Sequence, residues 1–276
     1  GMIEIKGLVP GTYILREETT PDGYVANENN YEFTIDENGL IEKQHGYMIV
    51  VENGYTRTEF LKTDKASQKP VSGATLRLTD AKGKTIDTWV SGKTPHRINR
   101  LAAGEYILTE LEAPKGYKKG LPLKCVVKNT ESIQTFVMED VKLVNIYVDK
   151  VIHGSEIVWA HGNPVFTFRV QGTDLDGEKH IYYDAVEFTK EGTDNLGDVK
   201  RSISFEVPAG EYTVSECKVM RYKLEKIDGV SGGSIEGQSV RFKLYQNQNG
   251  TAVFVNQKKS DRELTDNAIV RNVIIP

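Results

Sequence analysis

Three residue types recur in the same order along the chain and could react with one another: a lysine, then a glutamate, then an asparagine or aspartate. Two sets are complete, and a third has only its last two members. The residues are Lys62, Glu110 and Asp140 in one set, Lys150, Glu216 and Asn256 in a second, and Glu17 with Asn53 in the incomplete set.

Each complete set could form an isopeptide bond if its members meet in an apolar core. Burial lowers the pKa of a lysine amine and raises that of a carboxylic acid. The neutral amine is a nucleophile, and the acid can polarise the Asx carbonyl and shuttle the proton. Attack on asparagine would expel ammonia, attack on aspartate water, and proximity replaces any cofactor. The same residues also allow an unreacted Lys–Glu ion pair capped by a polar Asx.

Alternating strands are the elements that bring these side chains to one face. Short runs with an apolar residue at every second position, separated by Gly, Pro, Asn and Asp, predict strands, and no long helical period is present. Side-chain parity then places every member beside core residues. The core residues on those faces are Phe60 with Lys62, Ile146 and Val148 with Lys150, Tyr13 and Leu15 with Glu17, Tyr106 and Leu108 with Glu110, Tyr212 and Val214 with Glu216, Ile49 and Val51 with Asn53, Phe136 and Met138 with Asp140, and Ala252 and Phe254 with Asn256.

A repeated seven-residue word divides the chain into modules. It reads GTYILRE at residues 11–17, GEYILTE at 104–110 and GEYTVSE at 210–216, at spacings of roughly 100 residues, the length of a β-sandwich. The predicted fold is all-β, with tandem immunoglobulin-like or prealbumin-like sandwiches. The modules are 1–55, which lacks its first strands, 56–143 and 144–259, and residues 260–276 are a linker or a strand that completes a neighbour's first module.

Composition excludes several classes of protein. The 276 residues are 38% hydrophobic and 27% charged, with a net charge of -4 and no basic cluster of the kind that binds nucleic acid. No run of about 18 apolar residues predicts a membrane span. Cys125 and Cys217 fall in different modules, so no disulfide is expected. The five histidines lack metal-ligand spacing, and residues 174–177 predict a turn because the EF-hand glutamate position holds Ala185. No metal or cofactor is expected.

The motifs resemble two related families. Residues 106–117 (YILTELEAPKGY) resemble the signature of the collagen-adhesin B-type repeat, also called the SpaA-like prealbumin domain. Residues 60–64 and 70–74 are similar to its opening strand and turn, and residues 17–24 repeat the signature in module one. Module three, through PVFTF at 164–168 and its version of the repeated word, is more similar to the isopeptide domain of streptococcal pilins.

The resemblance implies bonds between Lys62 and Asp140 and between Lys150 and Asn256, promoted by Glu110 and Glu216. In module one no bond is expected, because Lys6 lies just before the repeated word rather than on a first strand.

The function that follows is a non-enzymatic stalk or pilin segment of a Gram-positive adhesin. It would be extracellular and anchored to the cell wall through a region outside this chain. Its partners would be other modules of the same protein or pilus, with no nucleic acid and no membrane contact. The alternative is a module that itself binds a host matrix protein or glycan.

Overall fold

The computed structural model describes residues 3–41, 48–190, 197–245, 248–260 and 263–264. These residues form twenty strands and two short 3-10 helices, Gly154–Glu156 and Trp159–His161, and residues 263–264 are helical. The prediction of an all-β fold is therefore confirmed. Within the described residues, no helix has the length and apolar character needed to cross a membrane.

The chain folds into two compact units. Within the described residues, the first comprises residues 3–41, 48–62, 70–112 and 121–138, and the second comprises residues 63–69, 113–120, 139–190, 197–245, 248–260 and 263–264.

Residues 3–41 and 48–55, the described part of the first module, form four short strands in two small sheets. Strand β1 pairs antiparallel with β3, and β2 pairs antiparallel with β4. One expectation is wrong here: residues 49–53 form no strand, although their alternation predicts one. The strands are β1 (Gly11–Leu15), β2 (Tyr24–Val25), β3 (Tyr31–Ile35) and β4 (Gly54–Tyr55).

The next seven strands form two sheets, in the orders β10-β9-β6-β7 and β11-β5-β8. Their inward faces bury a common core that includes Phe60, Leu76, Leu108 and Met138. Fully burying one such side chain stabilises the fold by about 1.5–3 kcal/mol. The strands are β5 (Arg57–Asp64), β6 (Thr75–Asp80), β7 (Thr85–Val90), β8 (His96–Asn99), β9 (Gly104–Glu112), β10 (Leu123–Val127) and β11 (Ile133–Asp140).

The remaining nine strands form a larger sandwich with sheets β15-β12-β20-β17 and β14-β13-β16-β19-β18. Phe166, Phe168, Tyr212 and Phe254 are buried in its core. The first strand, β12, runs parallel to the last, β20, as its direct neighbour. The strands are β12 (Leu143–His153), β13 (Val165–Asp174), β14 (Lys179–Glu187), β15 (Asp198–Pro208), β16 (Gly210–Glu216), β17 (Tyr222–Ser231), β18 (Gly233–Glu236), β19 (Ser239–Leu244) and β20 (Gly250–Lys258).

In module three the repeated word needs its glycine, because β13 and β16 approach each other closely there. A Cβ atom added to Gly210 would lie 2.3 Å from the Thr173 carbonyl oxygen. Any larger residue would push the two strands apart, and β16 carries Glu216 at its far end.

Candidate isopeptide sites

Lys150 on β12 has a fully buried amine. Its Nζ lies 3.0 Å from Glu216 Oε2 and 3.1 Å from the carbonyl oxygen of Phe254, which accepts its hydrogen bond. The amine also lies 4.7 Å from the centroid of the Phe166 ring. Burial lowers the pKa of Lys150 to about 8 and outweighs the opposing effect of Glu216. An appreciable fraction of this amine is therefore neutral and nucleophilic near neutral pH.

Asn256 on β20 is 2% exposed. Like Lys150, it contacts the carboxylate of Glu216. Its Nδ2 donates a hydrogen bond to Glu216 Oε1, whereas its Oδ1 is buried without a hydrogen-bond partner. One carboxylate therefore touches both the amine and the amide that would react.

The parallel register sets the distance between the two reacting residues. Lys150 lies opposite Phe254, and Asn256 lies opposite Ile152, two positions further along the strand. The two Cα atoms are thus diagonal neighbours, roughly 7–8 Å apart. A lysine stem of four methylenes spans that gap, whereas a residue directly opposite would be too close for it to extend.

The geometry differs in one respect from the chemistry that the sequence suggests. The sequence suggests that the acid polarises the Asx carbonyl, but Glu216 faces the amide nitrogen of Asn256. In this position the carboxylate can take a proton from the Lys150 amine and deliver it to the departing nitrogen.

The three candidate residues of module two are as deeply buried as those of module three. The exposed fractions of Lys62, Glu110 and Asp140 are 1%, 0% and 1%. Lys62 Nζ lies 3.3 Å from Glu110 Oε1. Lys62 is on β5 and Asp140 ends β11, which is the neighbour of β5 in the same sheet.

Module one contains an assembled acid–amide pair. Asn53 Nδ2 donates to Glu17 Oε1 at 2.6 Å, and Glu17 Oε2 accepts from the backbone nitrogen of Asn27 at 3.2 Å. Lys6 is not part of this pair, because its side chain is 81% exposed and lies beside Glu4.

A charged cluster in the second unit was not predicted from the sequence. Residues 174–177 form the expected turn, but the Asp174 side chain is fully buried and lies 2.8 Å from His180 Nε2. The Lys118 ammonium lies 2.7 Å from Asp174 and 2.6 Å from Glu178. The ligand atoms of Asp174, Glu178 and His180 lie within 4.8 Å of one another, close enough for a metal ion. The Lys118 ammonium contacts both carboxylates and compensates part of their negative charge.

Ionisation of the Asp174 carboxyl in this cluster should make the stability of the protein depend on pH. Burial opposes ionisation of Asp174, but hydrogen bonds from Lys118 and His180 dominate and lower its pKa from 3.8 to about 2. This contribution to stability is complete above pH 3.8 and is lost as the pH falls towards 2. We expect Asp174→Asn to unfold at lower urea concentration at neutral pH and to lose less stability on acidification. Asp198→Asn, at an exposed position, is the control and should keep the wild-type slope; an equal slope in Asp174→Asn would contradict the prediction.

Comparison with known proteins agrees with this architecture. Residues 1–46 and 56–142 match the family model described as the SpaA prealbumin-like fold domain. The trypsin-resistant surface T6 protein of Streptococcus pyogenes serotype M6 is 26% identical over 163 residues, which cover 56% of this chain. The chain spans only 29% of the length of that relative.

Solved structures with a similar fold include two pilins. The Bacillus anthracis TIE protein is 18% identical, over 91% of this chain and 42% of its own, with a TM-score of 0.39. A streptococcal ancillary pilin is 14% identical (90% and 76% covered, TM-score 0.32), and the shaft pilin SpaA of Lactobacillus rhamnosus GG is 12% identical (72% and 97% covered, TM-score 0.28).

The fold and the family match together define a class: tandem prealbumin-like β-sandwich modules. Residues 1–46 and 56–142 are similar to the SpaA prealbumin-like domain family.

Proposed function

We propose that this chain is a stalk segment of a Gram-positive pilus or surface adhesin, in which modules two and three each lock themselves with one isopeptide bond. The observation that carries the proposal is the buried assembly of Lys150, Glu216 and Asn256, in which one carboxylate contacts both reactants. The Lys150 Nζ–Asn256 Cγ bond would form as the Cγ–Nδ2 bond breaks, with release of ammonia. In module two, the Lys62 Nζ–Asp140 Cγ bond would form as a Cγ–Oδ bond of Asp140 breaks, with release of water.

The position of the bond explains its use in a stalk. In module three it would join the first strand to the last, and these are parallel neighbours in one sheet. Tension applied at the two ends of the module would then load a covalent bond rather than the hydrophobic core. Closing a loop of roughly 100 residues also stabilises the folded state by about 5 kcal/mol, by analogy with a disulfide, and the bond survives reduction.

The proposal includes a location and partners. The segment would act outside the cell, anchored to the wall through a region beyond these residues, and would contact other modules of the same protein or pilus. It would work as structure, and each bond-forming reaction would occur once.

Binding of a host ligand is the second candidate. A groove of about 710 Å³ opens on the five-stranded sheet of module three. Several polar groups of its lining are paired with one another, since Glu211 contacts Arg241 at 2.8 Å and Tyr245 at 3.1 Å. Groups already paired in this way have less to gain from a polar ligand, so we place the stalk ahead of the binding module.

Intact-mass spectrometry tests the proposal directly. We expect the purified chain to lack one ammonia and one water relative to its sequence, because one acceptor is asparagine and the other aspartate. Peptide mapping should then find Lys150 joined to Asn256 and Lys62 joined to Asp140. A full, undiminished mass would overturn the proposal.

A further inference from the structure

Two turns of the same form follow the repeated word in modules one and two. Their sequences are P-D-G-Y at residues 21–24 and P-K-G-Y at residues 114–117. In each turn the backbone nitrogen of the tyrosine donates to the carbonyl oxygen of the proline, at 3.0 and 3.1 Å, and the glycine has a positive φ, 82° and 81°. Residues at the same position in the two turns are therefore equivalent.

Each turn holds the chain where the next module begins. The carbonyl oxygen of Gly23 accepts a hydrogen bond from the backbone nitrogen of Thr56 at 3.0 Å. The carbonyl oxygen of Gly116 accepts one from the backbone nitrogen of Leu143 at 2.8 Å. In both cases the turn and the residue that it binds belong to the same compact unit. The turn of one module thus fixes the first residues of the next.

The residue after the tyrosine also has the same place in both turns. Val25 pairs with Gly54 between β2 and β4, and the backbone nitrogen of Lys118 donates to the carbonyl oxygen of Val141 at 2.8 Å. Each partner lies two residues before the nitrogen that the glycine carbonyl binds. Val25 and Lys118 are therefore equivalent in position, but one is apolar and the other is a cation.

Lys118 uses its charge to hold the hairpin between β13 and β14. Its ammonium lies 2.7 Å from Asp174, 3.4 Å from Asp176 and 2.6 Å from Glu178. Lys65, which follows β5, adds a contact of 2.8 Å to Asp176. Burial lowers the pKa of Lys118, but hydrogen bonds to Asp174 and Glu178 outweigh it and raise this pKa, so the amine is charged at neutral pH. Three carboxylates of module three are thus contacted by two cations of module two.

The matching hairpin of module two carries the opposite charge. It joins β6 to β7 and reads D-A-K-G-K at residues 80–84, whereas the hairpin of module three reads D-L-D-G-E at residues 174–178. Both have the same geometry, since the first aspartate accepts hydrogen bonds from the backbone nitrogens of the third and fifth residues at 2.9 Å. Those two residues are lysines in module two and acids in module three. A valine turn therefore precedes the lysine hairpin, and a lysine turn precedes the acidic hairpin.

We propose that the residue after the P-x-G-Y turn and the hairpin of the following module form a charge-matched pair that determines which module can follow which. Lys118 selects a hairpin with acids at its third and fifth positions. The hairpin of module two would present lysines there and repel Lys118. Val25 has no charge to conflict with those lysines. The partner that the acidic hairpin of module three accepts is accordingly a turn that carries a lysine.

A double-mutant cycle in the full 276-residue chain tests the pairing. The first change, Lys118→Val, gives the turn of module two the residue that module one has. The second change gives the hairpin of module three the charges of module two, through Asp176→Lys together with Glu178→Lys. Hydrogen exchange, measured by mass spectrometry on peptides that contain residues 113–120 and 139–146, reports how firmly the turn is held. Lys115→Val, at an exposed lysine of the same turn, is the control.

Each change alone should speed exchange in these peptides, and the hairpin change should do so by about tenfold, because charge-assisted hydrogen bonds are replaced by repulsion. The combined variant should exchange more slowly than the hairpin variant, because valine meets the lysines without repulsion. Additive effects would overturn the proposal, and so would an effect of Lys115→Val equal to that of Lys118→Val. If the hairpin change leaves β16 unprotected, Glu178→Gln replaces it in the cycle. It should then speed exchange only where Lys118 is present, and equal effects with and without Lys118 would overturn the proposal.

Discussion

Replacing Lys150 with methionine is expected to restore the mass of one ammonia to the chain and to lower the stability of module three by about 5 kcal/mol. Methionine keeps most of the buried stem and removes the nucleophile, so the core stays filled. The loss has two parts: the loop of roughly 100 residues is no longer closed, and the buried Glu216 carboxylate loses the lysine nitrogen that lies 3.0 Å from it. Intact mass and guanidinium unfolding measure the two effects on the same sample.

Two further variants show whether the isopeptide bond or the contact between Lys150 and Glu216 accounts for the loss of stability. Asn256→Ala removes the acceptor but keeps the contact between Lys150 and Glu216. It should therefore show most of the stability loss expected for Lys150→Met, and module three should lose no ammonia. Asn53→Ala is the matched control, because Asn53 makes the same amide-to-carboxylate hydrogen bond. Its mass should change only by the substitution. In every variant, module two should still form its bond and lose one water. A Lys150→Met chain as stable as the wild type would contradict the expectation.

Much of this site could be predicted from the sequence because strand parity is local. The alternation around Lys150 and Asn256 shows that both side chains face the core, and burial of both is what the structure has. The repeated word shows that Glu216 lies on a central strand. None of this requires knowing which strands are neighbours.

The features of the site that could not be predicted from the sequence depend on contacts between segments far apart in the chain. Lys118 and Asp174 are 56 residues apart, and no local pattern marks Lys118 as the partner of a buried carboxylate. The amide nitrogen of Asn256, rather than its carbonyl, faces Glu216, which parity alone cannot show. Residues 49–53 illustrate the opposite error: their alternation satisfies the local rule for a strand, but a strand also needs a neighbour.

The structure lets two roles of Glu216 be separated. Its carboxylate raises the pKa of Lys150 against the larger effect of burial, which lowers it. If the carboxylate acted only on lysine ionisation, removing its charge would leave more neutral amine and speed bond formation. If it also transfers the proton to the departing nitrogen, removing it stops the reaction.

We therefore expect Glu216→Gln to keep Lys150 and Asn256 unjoined even though its lysine is more readily neutral. Chain that has never folded, recovered from insoluble aggregates in denaturant, is refolded, and the loss of ammonia is followed by mass. In the wild type the rate should rise roughly tenfold between about pH 7 and pH 9, because the neutral fraction of an amine of pKa about 8 rises by that factor. Glu216→Gln should show no loss of ammonia at any of these pH values while module two still loses water. A variant that reacts faster than wild type would instead mean that Glu216 only holds the lysine in its charged form.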